Sequence, residues 1–216
     1  MIGLLGAIAG GKSSAARILA ALGAAVVDAD AAAHAELADR GVIRALVARH
    51  GRALLRPDGT IDRAALARKT FGDPEALSHL ERLVHPRVRA RLERRLAALL
   101  RERHLPAVVL DVPLLLESSP LARRCDLLLY IESSAPERRR RARARRGWSA
   151  GELARRDAHQ LSPVAKRRRA DVVIRNDGTE AKLRRTILEW LASAGGFTAI
   201  PRRATPMDRA HGRGDS

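Results

Sequence analysis

The sequence predicts an α/β fold in which a parallel five-stranded sheet carries helices on both faces. Two observations predict it. Short apolar runs of strand length alternate with longer segments of helical spacing. The first of those runs opens into Gly6-Ala7-Ile8-Ala9-Gly10-Gly11-Lys12-Ser13, a glycine-rich segment that a helix follows. Alternation of this kind buries both faces of a parallel sheet. Ligands of such sheets bind beyond the carboxyl ends of the strands.

The elements are expected in the following order. Ile2 to Leu5 is a buried strand ended by Gly6, and Lys12 to Leu22 a helix with Ala15, Ile18, Leu19 and Leu22 on one face, stopped at Gly23. Ala25 to Val27 is a second strand that ends at Asp28. From Ala31 to Leu100 the pattern is helical, with breaks expected at Gly41, Gly51, Pro57-Asp58-Gly59, Asp73-Pro74 and His85-Pro86. Ala107 to Val112 and Leu127 to Ile131 are the third and fourth strands. Pro136 to Arg169 is helical, strongly basic and interrupted near Gly147. Asp171 to Ile174 is the fifth strand and Glu180 to Ala192 the last helix. Residues 195–216, rich in Pro, Arg and Gly without periodicity, are expected to be a disordered tail. Gly6, Asp28, Asp30 and Asp111 are expected to meet at one edge of the sheet.

Composition narrows the classes. With 216 residues, 46% hydrophobic and 30% charged, the chain is globular and large enough for one substantial core. Cys125 is the single cysteine, which fits a reducing, cytoplasmic setting. The apolar start lacks a basic leader and runs into the Gly-Lys-Ser segment, so it reads as a strand and not as a secretory signal. Leu105 to Leu116 is too short to span a bilayer and contains Asp111. A soluble monomer without a membrane partner is expected. The net charge is +17, and residues 134–170 supply 13 basic against 3 acidic side chains, or +10 of it. That density suits a polyanionic ligand, although most of these arginines also read as a solvated helix face. Aromatic content of 2% argues against a base-stacking surface, so no obligatory nucleic-acid partner is expected.

Gly6 to Ser13 fits G-x-x-x-x-G-K-[ST] in full. Small residues let successive backbone N–H groups turn toward phosphate oxygens, and the helix that follows points its positive end at the same anion. Lys12 is expected between the β- and γ-phosphates of ATP, with the Ser13 hydroxyl on Mg²⁺. Gly6, Ala7, Ile8, Ala9, Gly10, Gly11, Lys12, Ser13 and Ser14 thus form the expected ATP cradle. No [NT]KxD guanine reader follows, and a small-molecule kinase is the economical class. Of Asp28 and Asp30, one can cap the following helix while the other orients an attacking hydroxyl; Asp30 is the expected base. Asp111, in the run VVLDVP, reads either as a Walker B acid serving Mg²⁺ or as a carboxylate paired in the core.

Taken together, GAIAGGKSS, DADAAAH, the segment HGRALLRPDGTIDRAALARKTFGDPEALSHLERLVHP, VPLLLES, the stretch from RRARARRG to RRDAHQLS, and KRRRADVVIRNDG resemble the dephospho-CoA kinase family. The resemblance runs from Ile2 to about Ala192. It implies the three-layer αβα fold of P-loop NTPases and phosphorylation of the ribose 3′-hydroxyl of dephospho-CoA by ATP with Mg²⁺. It also implies one kinase domain over residues 1–194. A core (1–34, 105–133 and 171–194) would carry an acceptor-binding helical region (35–104) and an Arg-rich lid (134–170). Asp30 resembles the family's catalytic base. His34, His85, Pro86, Pro113, Leu114 and Glu117 fall in motifs near the acceptor, and His85 reads equally as a turn residue. Arg141 and Arg145, and Arg156 and Gln160, fall on lid positions of the R-x-x-x-R and R-x-x-x-Q type. Each pair is expected to share a helix face. Arg141 is expected to act on the transferring phosphoryl group, and Arg156 and Gln160 on the acceptor. Arg138 to Arg140 and Arg167 to Arg169 read as solvated or as general phosphate attraction. Asn176 and Gly178 match a loop lying against adenine.

The family pattern T-G-G-I-G-S-G-K-S-T is altered at Leu5, Ala7, Ala9, Gly10 and Ser14. Alanine at a position of positive φ would strain the loop by about 1 kcal/mol. Two alternatives stay open from the residues alone: a shikimate- or nucleoside-monophosphate-type kinase, and an Arg-rich nucleic-acid-binding P-loop protein.

Overall fold

The structure, a computed structural model, describes residues 1–70, 72–118 and 120–199. Strands β1 (Ile2–Gly6), β2 (Ala25–Asp28), β3 (Val108–Asp111), β4 (Leu127–Glu132) and β5 (Val172–Arg175) form one sheet in the order β2-β3-β1-β4-β5. β1 runs parallel to β3 and to β4, with Ile2 facing Val109 on one side and Leu127 on the other; β4 runs parallel to β5. The chain crosses out to β2, returns to β3 beside β1, then moves to the opposite side for β4 and β5. This reversal at β1 opens the crevice beyond its carboxyl end where ligands of such sheets sit.

Helix α1 (Lys12–Ala21) presents Ala15, Ile18 and Leu19 to one face of the sheet, the spacing of an amphipathic stripe. α10 (Glu180–Ser193) adds Leu183, Ile187 and Leu191 to the same core, where Ile2, Leu4, Val109, Leu129 and Ile131 are buried. An Arg17–Glu180 pair at 2.9 Å joins the two helices at the surface. On the other face, a Cβ at Gly3 would lie 2.8 Å from Cys125 Sγ and from the Leu115 and Leu128 side chains, so only glycine lets that layer close. Cys125 is 2% exposed.

Two compact units divide the chain: Met1–Val27 with Leu99 onward, and Asp28–Ala98. The second contains α2 (Ala29–Leu37), α3 (Arg40–His50), a 3₁₀ turn (Arg52–Leu54), α4 (Arg63–Thr70) and nearly all of α5 (Pro74–Leu99). Val42, Leu46, Leu54, Ile61, Leu66 and Val84 form its own core. Residues 28–34, grouped with the sheet in the sequence reading, fall in this unit. The buried Glu36 of α2 accepts from Arg91 Nε at 2.6 Å and ties the helix to α5.

Several breaks differ from expectation. α5 continues through His85-Pro86. Arg82 and Pro86 are both exposed, so the carbonyl that loses its donor is left to solvent and not to the core. Gly41 lies inside α3, whose start is set by Asp39, which accepts from Gly41 N–H and Val42 N–H. The basic stretch forms three helices: α7 (Ala135–Arg146), α8 (Ala150–Asp157) and α9 (Pro163–Arg169). Its second break, missed in the sequence, precedes the Ser162 cap of α9, and Pro163 takes the first helical position. Within the tail expected from residue 195, Phe197–Ala199 instead form a 3₁₀ turn, and Phe197 packs against the main core. Residues 200–216 of that expected tail lie outside the described residues.

Candidate active site

The glycine loop joins β1 to α1. Gly10 N–H donates to Ala7 O at 2.9 Å, closing a four-residue turn. Ala9, its third residue, has φ +59°, whereas Ile8 keeps a negative φ. That combination defines a type II turn, which favours glycine at the third position. Of the two alanines that depart from the family pattern, only Ala9 therefore sits in a strained conformation, and Ala7 does not. Gly11 has φ +93°, and a Cβ there would lie 2.0 Å from Asn176 Nδ2, so the position is closed to any side chain. No side chain caps α1. Its first N–H groups and the positive end of its dipole stay available to an anion.

Lys12, in the first turn of α1, places Nζ 2.8 Å from Oδ1 of Asp111 at the carboxyl end of β3. Asp111 is nearly buried (side chain 8% exposed) and Lys12 less so (20%). Both readings of Asp111 meet here: it is paired, and its partner is the loop lysine. The Ser13 hydroxyl, next in sequence to Lys12, has no hydrogen-bond partner among the described residues and is left as an oxygen donor. Mg²⁺ takes one or two protein oxygens together with substrate phosphates, and Ser13 and Asp111 suit that demand. Among the described residues no group of three His, Cys, Asp or Glu side chains could form a protein-only metal cage.

Behind the loop stand side chains that hold its carbonyls. Gly10 O accepts from Ser133 Oγ (2.9 Å), Asn176 Nδ2 (2.9 Å) and Arg141 NH1 (3.4 Å). Ile8 O accepts from Arg138 Nε at 2.8 Å, and Gly6 O from Lys166 Nζ at 3.4 Å. Arg138, Arg141, Lys166 and Asn176 are all buried. This corrects the sequence reading of Arg138 as solvated: it is 6% exposed and paired with Asp157. Arg141 also donates to Asn176 O (2.9 Å) and Gly178 O (3.2 Å), and pairs with Glu137 at 2.9 Å. Arg140, with Arg141 adding to it, holds the Glu137 carboxyl below the ordinary carboxylate range. Arg141 is thus surrounded by acceptors of its own chain. The exposed Arg145 lines a pocket with Gly11, Asn176, Gly178, Glu180 and Leu183, next to the loop.

In the segment after β3, Pro113 is exposed and Leu114 adopts φ +53°. Glu117, in the short helix α6 (Leu115–Ser118), accepts from Leu161 N–H at 2.9 Å and pairs with Lys166 at 3.2 Å; Lys166 also donates to Gln160 Oε1 at 2.7 Å. Glu117 and Gln160, expected on the acceptor, thus converge on a buried lysine. Gln160 lies beyond the end of α8, so the helix face it was expected to share with Arg156 does not exist. Arg156 pairs with Glu152 and stacks on Trp148, its guanidinium carbon 4.2 Å from the ring centre.

Asp28, Asp30, His34 and His85 belong to the second unit. Asp28 accepts from Asp30 N–H (2.8 Å) and Ala31 N–H (3.1 Å) and so caps α2. The exposed Asp30 carboxylate accepts no bond among the described residues. Capping therefore occupies Asp28 and leaves Asp30 available. Asp30 and His34 stand one turn apart on α2, and His85 is exposed on α5.

Sequence reasoning missed Ser133, Arg138 and Lys166. A signal for Arg138 was present: Arg138, Arg141 and Ala142 stand at i, i+3 and i+4, the spacing of a buried stripe, in a segment where arginine hid the pattern. Lys166 is the one lysine in a run of arginines.

A parallel sheet with its reversal at β1, a glycine loop at that point, and a lysine of that loop paired with an acid at the end of β3 define a P-loop nucleotide-binding fold. The sequence model of the family described as dephospho-CoA kinase matches residues 1–182. A dephospho-CoA kinase of Symbiobacterium thermophilum is 41% identical over 99% of this chain and 89% of its own length. One of Rhodopirellula baltica is 40% identical over 89% of the chain and 90% of its own. The crystal structure of TT1252 from Thermus thermophilus superposes with a TM-score of 0.69 at 36% identity, covering 89% of this chain and 96% of that one. The chain belongs to the dephospho-CoA kinase family, an ATP-dependent kinase family that performs the final step of coenzyme A biosynthesis.

Proposed function

We propose that the chain transfers the γ-phosphoryl group of ATP to the ribose 3′-hydroxyl of dephospho-CoA, with the loop residues Gly6 to Ser14 binding the triphosphate. The observation that supports it most is the Lys12–Asp111 pair beside an uncapped helix N-terminus. Lys12 exchanges its carboxylate partner for phosphate oxygens when ATP binds and neutralises charge on the transferring group. Ser13 and Asp111 are the oxygen donors for Mg²⁺, which when bound shields the β- and γ-oxygens. Asp30, left free by the Asp28 cap, accepts the proton of the attacking hydroxyl. Asn176, Gly178 and Arg145 line the adenine side.

His34, His85, Pro86, Pro113, Leu114 and Arg156 are assigned to the acceptor on sequence position. Glu117 and Gln160 act on it through Lys166. Every role falls within one chain, so a monomer suffices. Among the described residues no helix is long and apolar enough to cross a membrane. A buried lone thiol suits the reducing cytoplasm.

The test is turnover with Mg-ATP and, separately, dephospho-CoA, adenosine, AMP or shikimate, following ADP release. Selective turnover of dephospho-CoA is expected. Turnover confined to another acceptor overturns the assignment.

A further inference from the structure

We propose that Arg138 is a positioning residue that holds the Ile8–Ala9 peptide in its flipped orientation, and so lets alanine stand where the turn calls for glycine. Type I and type II turns differ mainly by rotation of their central peptide. Here that peptide joins Ile8 to Ala9, and alanine at the third position favours type I, because a left-handed φ crowds its Cβ. The loop nevertheless adopts type II, with Ala9 at φ +59°.

Among the described residues, the side chain bonded to the central peptide is Arg138, whose Nε donates to Ile8 O at 2.8 Å. Arg138 is buried and anchored at its far end by Asp157, so it cannot follow the carbonyl if the peptide rotates. Rotation would leave a buried N–H without an acceptor.

A planar trans peptide points its C=O and N–H to opposite sides. Holding Ile8 O toward Arg138 therefore turns Ala9 N–H to the other side of the loop, where it can donate to a phosphate oxygen. In the type I form that position would present the Ile8 carbonyl oxygen to an anion. The inference rests on the reading of this loop as the ATP-phosphate site. Lys166 on Gly6 O and the Ser133–Asn176 pair on Gly10 O hold the flanking peptides, whereas among the described residues Arg138 acts on the one whose flip changes turn type.

The experiment compares Arg138→Met, Ala9→Gly and the double variant by KM for ATP, kcat at saturating substrates and Tm. Arg138→Met is expected to raise KM for ATP on the order of tenfold, with a much smaller change in kcat. Adding Ala9→Gly should restore most of that loss, since glycine adopts the left-handed φ unaided. A folded Arg138→Met enzyme with unaltered KM, or a double variant with no recovery, overturns the proposal. If Arg138→Met does not fold, Ala9→Gly alone decides. A raised Tm supports a strained, held turn. A lowered Tm, the usual effect of glycine in a relaxed turn, overturns it. Lys12→Ala serves as the control for the underlying reading. Persistent turnover there removes the ATP-site assignment itself, whatever Arg138 does.

Discussion

Lys12 Nζ and Asp111 Oδ1 stand 2.8 Å apart, joining the first turn of α1 to the end of β3. The pair compensates the charge of the nearly buried carboxylate and fixes the lysine side chain. Lys12→Ala should reduce turnover by about 10²-fold or more, because charge neutralisation at the transferring phosphoryl is lost. Asp111→Asn should raise the Mg²⁺ concentration needed for half-maximal rate. A magnesium titration at fixed ATP measures this, and an unshifted midpoint would detach Asp111 from the metal.

Arg141 separates a clamp from a brace. A clamp acting on phosphate alone would lose kcat when removed and leave stability intact. The observed Arg141 holds Asn176 O, Gly178 O and Gly10 O in a buried setting. Arg141→Met should therefore cost about 3 kcal/mol of stability, in line with breaking a buried charged network, and should weaken ATP binding as the Asn176 loop loosens. Urea unfolding, read beside KM for ATP, distinguishes the two.

Lys166 gives a second brace on the opposite end of the loop. Lys166→Met leaves the Glu117 carboxylate with only the Leu161 N–H and removes the donor on Gly6 O. A loss of about 3 kcal/mol is expected. Pairing it with Glu117→Gln should recover part of that loss, because the orphaned charge disappears. Strictly additive losses in this double-mutant cycle would show that the contact carries no coupling.

The helical unit should respond to acid. His79 is held below its ordinary value of 6.5, first by burial and then by the nearby Arg49, His50 and Arg82, with Glu75 opposing. Neither His79 Nδ1 nor His50 Nε2 has a partner among the described residues. Because the folded state resists protonation, the unfolded chain binds the extra proton first, so stability is full above 6.5 and falls as pH drops through the lowered value. His79→Gln should flatten the fall that sets in as pH drops below 6.5 in denaturant titrations. An unchanged slope would assign that dependence elsewhere.

The parts of the molecule that local pattern dictates were legible in the sequence. Gly6 to Ser13 declares its turn by residue type, and the five apolar runs declare their strands. Asp28 against Asp30 was readable as one cap and one free acid, and the structure sorts them. What stayed hidden depends on tertiary choice. Arg138 to Arg141 look alike as text, yet two face inward and are neutralised by Asp157, Glu137 and loop carbonyls, while their neighbours remain outside. Pro86 reads as a break, but an exposed helix face tolerates the missing bond. Glu117 and Gln160 lie far apart in the chain and show no hint in sequence that one lysine serves both.

Cys125, packed under Gly3, gives the sheet-bearing unit a private reporter. It is the chain's only thiol, so an alkylating reagent can mark the protein at one place alone, and there only while that layer stands open. The rate of labelling counts excursions of the layer that covers the thiol. Each brace variant can thus be timed by mass, one adduct per opened molecule, with no engineered probe.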